Sequence, residues 1–166
     1  MNIETIINKM KLAFETTIPS EIDHALNVLE NAEIIMDGEG IKGRERYLIS
    51  VIAILHDIGM INAKEKYGLT FGHYQEKEGP AAVKELLVGE SLSHDEAERI
   101  CYIIGNHHSP NKVEGIDFQI QWEADLIEAL KKLDKENIQD KLEKIINKNF
   151  KTKSGLQLAK KIFIIN

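Results

Sequence analysis

Val51-Ile52-Ala53-Ile54-Leu55-His56-Asp57-Ile58-Gly59 is the stretch on which the reading of this chain turns. Five consecutive apolar residues leave no polar face for water. A helix from about Lys42 to Gly59 whose interior, Tyr47 to Leu55, is apolar on nearly all sides is therefore a central, buried helix. A histidine and an aspartate stand at its end, where polar groups are costly to bury unless something compensates them. Neighbouring backbone can do so. A metal ion can do so directly, because imidazole and carboxylate are natural ligands and the ion's charge offsets that of Asp57. From this pair alone the two readings stand level.

The segments on either side also read as helices. Ile3, Ile6, Ile7, Met10 and Phe14 have helical spacing. Pro19-Ser20 opens a second helix with Ser20 as N-cap and Glu21 and Asp23 in the first turn. It runs to about Met36 and stops at Asp37-Gly38-Glu39-Gly40. After the central helix and a loop, Gly79-Pro80 reads as the N-cap and first residue of a fourth helix ending before Gly89. Ser93 with Glu96 forms a capping box for a fifth that runs to about His107, halted by Ser109-Pro110-Asn111. Further helices are expected over about Asp117 to Leu133, Asn137 to Asn147 and Ser154 to Phe163. Strand-like alternation is nearly absent, so the expectation is an all-α bundle of about seven or eight helices, one domain over residues 1–166.

Bulk properties narrow the function. A formal net charge of -6 argues against nucleic acid as the main partner, since a phosphate backbone needs clustered Lys and Arg. The single cysteine, Cys101, excludes an intrachain disulfide and a thiolate zinc site, and its setting in Ile100-Cys101-Tyr102-Ile103-Ile104 makes it a core residue. Met1-Asn2-Ile3-Glu4-Thr5 lacks the regions of a signal peptide. The longest apolar run, Val51 to Leu55, is too short to span a bilayer. A cytoplasmic protein without a membrane partner is the expectation.

Six histidines occur: His24, His56, His73, His94, His107 and His108. His24 lies mid-helix beside Ala25, Val28, Leu29 and Ala32, and singly reads as a hydrogen-bonded core residue. His107-His108 singly reads as a cationic helix end. His73, in Phe71-Gly72-His73-Tyr74, singly reads as a loop residue, and Asp125 as a helix-surface acid. Taken together they can converge in a bundle core, as metal ligands from several helices do. His94-Asp95 is a control: the same dipeptide, but at a helix N-terminus beside Glu96 and Glu98, it reads as solvated capping sequence.

The order His24, Leu55-His56-Asp57-Ile58-Gly59, His73, His107-His108, Asp125 resembles the HD-domain superfamily of metal-dependent phosphohydrolases, over about residues 20 to 130. The tail Thr152-Lys153-Ser154-Gly155-Leu156-Gln157-Leu158-Ala159 also resembles the closing helix of many members. The resemblance implies a first metal site of His24, His56, Asp57 and Asp125. It implies a second in which Asp57 bridges and His73 and His107 bind, with His108 a further ligand or a group facing substrate. Asp57 and His108 would be the catalytic groups. The cofactors implied are two divalent ions drawn from manganese, iron, cobalt, nickel or zinc, with magnesium a further candidate although histidine-rich ligation argues against magnesium alone. The implied partner is a small phosphorylated substrate such as a nucleotide, attacked by metal-activated water. Met60 stands where the cyclic-dinucleotide-cleaving branch carries lysine, and Glu21 lies near where the small dinucleoside-tetraphosphate hydrolases carry arginine. Lys64, Lys66, Lys112, Arg44 and Arg46 flank the site as candidate phosphate contacts. The same ligand order also fits a mixed-valent di-iron oxygenase such as myo-inositol oxygenase, or a non-catalytic nucleotide-binding domain.

Overall fold

The chain is all-helical in the computed structural model, which describes the backbone of residues 2–133 and 135–164 and the side chains of these apart from 135–140. Met1, Asp134, Ile165 and Asn166, which the single-domain reading includes, lie outside the described residues. The elements are α1 (Ile3–Glu15), α2 (Ser20–Glu39), α3 (Gly43–Leu55), α4 (Gly59–Tyr67), α5 (Gly72–Leu86), α6 (His94–Ile104), α7 (Gly115–Lys131), α8 (Lys135–Asn149) and α9 (Lys153–Phe163), with one 3-10 turn at Pro110–Lys112.

The core is built on α3. All seven residues from Ile49 to Leu55 are buried, and the one polar residue among them, Ser50, donates its hydroxyl to the Arg46 carbonyl at 2.9 Å. Around it pack α1 through Ile6, Met10 and Phe14, α6 through Ile100, Ile103 and Ile104, and α7 through Phe118, Ile120, Ala124 and Ile127. α2 lies along both α3 and α7, with Ala25, Val28, Leu29, Ala32, Ile35 and Met36 buried at helical spacing. The segment Gly43–Tyr67 is long and apolar enough, by length and composition, to cross a membrane, but 72% of its most apolar window is buried inside the bundle. Its apolar surface is already covered by the other helices.

Several helix ends differ from the sequence expectation. Pro19 occupies the N-cap of α2 and Ser20 is the first helical residue, without a side-chain cap. The capping box Ser93–Glu96 is present, with Glu96 N donating to Ser93 Oγ at 3.2 Å and Ser93 N to Glu96 Oε2 at 2.7 Å. The larger difference is over residues 60–78. The sequence suggests a loop there; the chain instead forms α4 and the first half of α5, with Pro80 inside α5. The described residues contain nine α-helices, with α3 and α4 nearly continuous, in keeping with the expected all-α bundle of about seven or eight. The buried stripe of α5 is Gln75, Glu78, Gly79, Ala82 and Val83, a perfect helical period whose first half is polar and glycine. Hydrophobic periodicity does not register such a stripe. Glu78 is held there by the Lys66 ammonium and by the Tyr67 hydroxyl at 2.8 Å.

Two close approaches position the site. A Cβ on Gly59 would lie 2.3 Å from the Gln75 carbonyl oxygen and 2.7 Å from the Gly79 nitrogen, so only glycine lets α4 start directly against α5. Two residues before Asp125, the buried Glu123 carboxylate of α7 accepts from Lys151 N at 2.6 Å, Thr152 N at 2.9 Å and the Thr152 hydroxyl. Thr152 Oγ1 in turn accepts from Gly155 N at 2.9 Å. The N-terminus of α9 is thereby tied to the helix that carries Asp125.

Candidate metal centre

α3 ends at Leu55, and Ile58 N and Met60 N bond back to the Leu55 and Asp57 carbonyls, a tightened turn through which the chain passes into α4. This break presents His56 and Asp57 to the interior. His56 Nδ1 lies 2.9 Å from the Ala53 carbonyl oxygen. A carbonyl only accepts, so Nδ1 carries a hydrogen and Nε2 faces inward, its lone pair available once the ring is neutral. α6 repeats the device: it ends at Ile104, and His107 Nδ1 donates to the Ile104 carbonyl at 2.7 Å. Fixing a ligand histidine's tautomer through its other nitrogen is the usual support of a metal site.

Four ligand atoms from three helical regions meet. His24 Nε2, from α2, is 3.3 Å from His56 Nε2, 3.3 Å from Asp57 Oδ2 and 3.2 Å from Asp125 Oδ1 of α7. His56 Nε2 is 3.1 Å from Asp57 Oδ2 and 3.7 Å from Asp125 Oδ1. An ion with ligands at roughly 2.0–2.2 Å requires neighbouring ligand atoms about 3.0–3.6 Å apart, depending on octahedral or tetrahedral geometry. The donor set fits. Two imidazole nitrogens at 3.3 Å beside two carboxylates also need positive charge between them. The electrostatics point the same way: burial lowers the His24 pKa, but hydrogen bonds to Asp125 and Asp57 outweigh it and lift it to about 10. In His56 burial likewise lowers it, and the charges of Asp57 and Asp125 raise it to about 9. Burial pushes the Asp57 and Asp125 carboxyls up, yet His56, His107 and His24 hold Asp57 well below its usual range, and His24 and His56 hold Asp125 below its own. His24 Nδ1 is buried without a hydrogen-bond partner among the described residues.

Asp57 faces two ways. While Oδ2 joins His24 and His56, Oδ1 lies 3.2 Å from His107 Nε2. Since His107 Nδ1–H is committed to Ile104, its Nε2 lone pair confronts a carboxylate oxygen, and a proton or cation must separate them. Asp57, His107 and His108 form a second group whose ligand atoms lie within 4.8 Å of one another, and Glu21, His24 and Asp57 form a third.

His108 is built differently. Its Nε2 is 2.8 Å from Gln75 Oε1, and Gln75 Nε2 donates to the Thr70 carbonyl at 2.6 Å. The Thr70 oxygen demands the amide NH2, which fixes the Gln75 oxygen toward His108; His108 therefore carries its hydrogen on Nε2 and its lone pair on Nδ1. Burial, and the charge of His107, hold its pKa below the usual histidine value. Glu76 Oε1 anchors the loop by accepting from His108 N and the Ser109 hydroxyl, both at 2.9 Å.

The structure thus brings together His24, His56, Asp57, His107, His108 and Asp125. It does not bring in His73. That residue is exposed, its ring 3.9 Å from Tyr74, which stacks on Tyr67 at 4.3 Å. Once α5 starts at Gly72, His73 and Gln75 are two residues apart, about 200° around the helix, and Gln75 takes the inward position. Gln75 and Glu76 carried no sequence signal, because the segment read as a loop; Glu21 was visible as a helix-start acid and as a departure from the arginine of related hydrolases, not as a ligand. His94 is exposed in the first turn of α6, and Cys101 is buried. Of the candidate phosphate contacts, Arg44 pairs with Glu96, Arg46 with Asp37 and Lys66 with Glu78, and Lys64 donates to the Thr17 carbonyl at 3.0 Å. Lys112 is exposed.

An all-helical bundle with histidines and aspartates converging from α2, the α3–α4 break, the end of α6 and α7 defines a class of metal-binding helical domain. The chain matches the HD-domain family over residues 22–148 and belongs to that family. Among solved structures it is similar to a predicted HD superfamily hydrolase from an uncultured Thermotogales bacterium. The two share 21% identity with a TM-score of 0.66, over 94% of this chain and 82% of that one. No match is found among curated proteins.

Proposed function

We propose that this chain is a metal-dependent phosphohydrolase acting on a phosphoester or phosphoanhydride of a small metabolite such as a nucleotide, with two divalent ions sharing Asp57. The observation that carries this reading is the divided carboxylate: Oδ2 among His24 and His56, Oδ1 toward His107. His24, His56, Asp57 Oδ2 and Asp125 would hold one ion; Asp57 Oδ1, His107 and His108 would hold or face the other. Bound divalent ions supply Lewis acidity, making water a nucleophile near neutral pH and neutralising charge on the phosphoryl oxygens. The protein's own part is positional. Ala53 and Ile104 orient His56 and His107, and Gln75 leaves His108 Nδ1 as an acceptor. His108 therefore accepts a proton or a ligand bond at Nδ1.

Metal analysis of the chain purified without added metal tests this. The expected result is about two ions per chain, both weakened by Asp57→Asn and only one by His107→Ala, together with phosphoester turnover that Asp57→Asn abolishes. Absence of bound metal would overturn the reading. So would a stable mixed-valent di-iron EPR signal with oxygen-dependent substrate loss.

A further inference from the structure

Trp122 is the single tryptophan of the chain, half-buried on α7, and it forms a wall of two cavities at once. One, of about 120 Å³, it shares with His107, His108, Asp125, Leu126 and Ala129, beside the metal centre. The other, of about 340 Å³, it shares with Pro110, Val113, Gln119, Lys148, Asn149 and Lys151. Gln119, Trp122 and Asp125 are three residues apart in turn, so each neighbours the next on α7 in a row that winds about 120° around the helix, with Trp122 between the two cavities. At 1.5 Å rise per residue, Gln119 is about 9 Å along the axis from Asp125.

The second cavity is cationic in a chain whose formal charge is -6. Lys148 and Lys151 are exposed, and neither ammonium has an ion-pair partner among the described residues. Their backbone, by contrast, is held. Gln119 Nε2 donates to Glu123 at 2.8 Å and to the Asn149 carbonyl at 3.0 Å, and Lys151 N donates to Glu123 at 2.6 Å. The two cations are thus free at their tips and anchored at their base. Lysine binds phosphate as a point charge, and an indole face accepts any planar ring by stacking.

We propose that Trp122, Lys148 and Lys151 form a substrate subsite adjoining the metal centre. It takes a nucleoside-type ligand: an aromatic ring against the indole, and a second anionic group on the lysines, which line the cavity at the Gln119 end of that row. This rests on the reading that a phosphoryl group is bound at the His/Asp cluster. The subsite selects an aromatic ring with two separated anionic groups, and it is indifferent to which base supplies the ring.

Because Trp122 is the only tryptophan, its fluorescence reports occupancy directly. The metal-loaded full chain is mixed by stopped flow with adenosine 3′,5′-bisphosphate, adenosine 5′-monophosphate or inorganic phosphate, and the signal is read before turnover. Both adenosine compounds are expected to quench Trp122, and phosphate alone to leave it unchanged. The bisphosphate should bind at least about tenfold more tightly than the monophosphate at low salt. That advantage should shrink with added salt and fall below about twofold in a Lys148→Ala/Lys151→Ala variant of unchanged Tm. Equal affinity of the two nucleotides in the parent protein would overturn the proposal. So would an advantage that survives in the lysine variant, or binding seen by calorimetry with no change in Trp122 emission. Turnover of a simple aryl phosphate is measured separately. Turnover with a failed fluorescence arm removes the subsite and keeps the phosphohydrolase; the opposite result keeps the subsite and removes the phosphohydrolase.

Discussion

Three histidines of the centre are held in defined tautomers, and the partner differs in a way that matters chemically. His56 and His107 each donate Nδ1–H to the carbonyl three residues back, a bond that any side chain elsewhere in the fold leaves intact. His108 depends on Gln75, which depends in turn on the Thr70 carbonyl. Gln75 is thus a positioning residue. Gln75→Leu removes the acceptor and frees the ring, and losses of supporting partners of this kind typically reduce metal affinity or activity by about 10–100-fold. The expected outcome is a fall of that size in turnover and in retention of the His107-side ion, with the His24-side ion kept. Gln75→Glu, which keeps an acceptor, should restore part of it. Nitrogen-15 NMR of His108 should show a single Nε2–H tautomer in the parent and a mixture in Gln75→Leu. Unchanged turnover and tautomer in Gln75→Leu would contradict the assignment.

At the scale of elements, the site depends on where helices stop and on how one of them is phased. α3 must end at Leu55 for His56 and Asp57 to leave the helical ladder, and α4 must begin at once for the turn to remain buried. Gly59 makes this work, because the atoms a side chain would meet there belong to the Gln75 and Gly79 backbone and cannot swing aside. Gly59→Ala is expected to destabilise the protein by about 1–3 kcal/mol, the usual range for overpacking, read as a lower urea midpoint at unchanged slope. It should also weaken the His108-side ion by displacing Gln75. A midpoint equal to that of the parent would remove the close approach as an explanation. Most helices were legible because their buried stripes are apolar; α4 and the first half of α5 were not, because α4 buries only Gly59 and Ala63 and the α5 stripe there is Gln75, Glu78 and Gly79. The N-terminus of α5 was instead placed at Gly79-Pro80, a sound start signal that here falls mid-helix, with the Pro80 ring against Gly105.

At the scale of the whole molecule, folding and metal binding are linked through protons. In the metal-free chain His24 is raised to about 10 and His56 to about 9. Between the ordinary histidine value and these, the folded state holds more protons than the unfolded one, so stability falls as pH rises through that window. The depressed carboxyls of Asp57 and Asp125 act at the other end: their contribution is present above the usual aspartate range and lost as pH falls through it. An ion needs deprotonated imidazoles, so its binding releases protons and tightens as pH rises. The Tm of the metal-free protein should therefore fall from about pH 7 to about pH 9.5, while the gap between metal-loaded and metal-free protein widens. A gap that stays constant or narrows would sink this account.

The sequence by itself determined the helical class, the family and the order of most of the residues that converge in the candidate centre. Each rests on a pattern readable within a few residues: an apolar run ending in His56-Asp57, a capping box at Ser93, histidines and an acid beside apolar faces at His24, His107 and Asp125. Only the tertiary structure decided that Asp57 divides its oxygens, that Gln75 enters the site while His73 leaves it, and that Trp122 joins the centre to Lys148 and Lys151. The physical reason is rotation and distance. Each residue turns a helix by about 100°, so the exclusion of His73 follows from the phase of α5, which is set by its packing on α4 and α6. The lysines line one cavity with Trp122 because Glu123 and Gln119 tie the end of α8 and the start of α9 to α7, contacts between residues far apart in the chain.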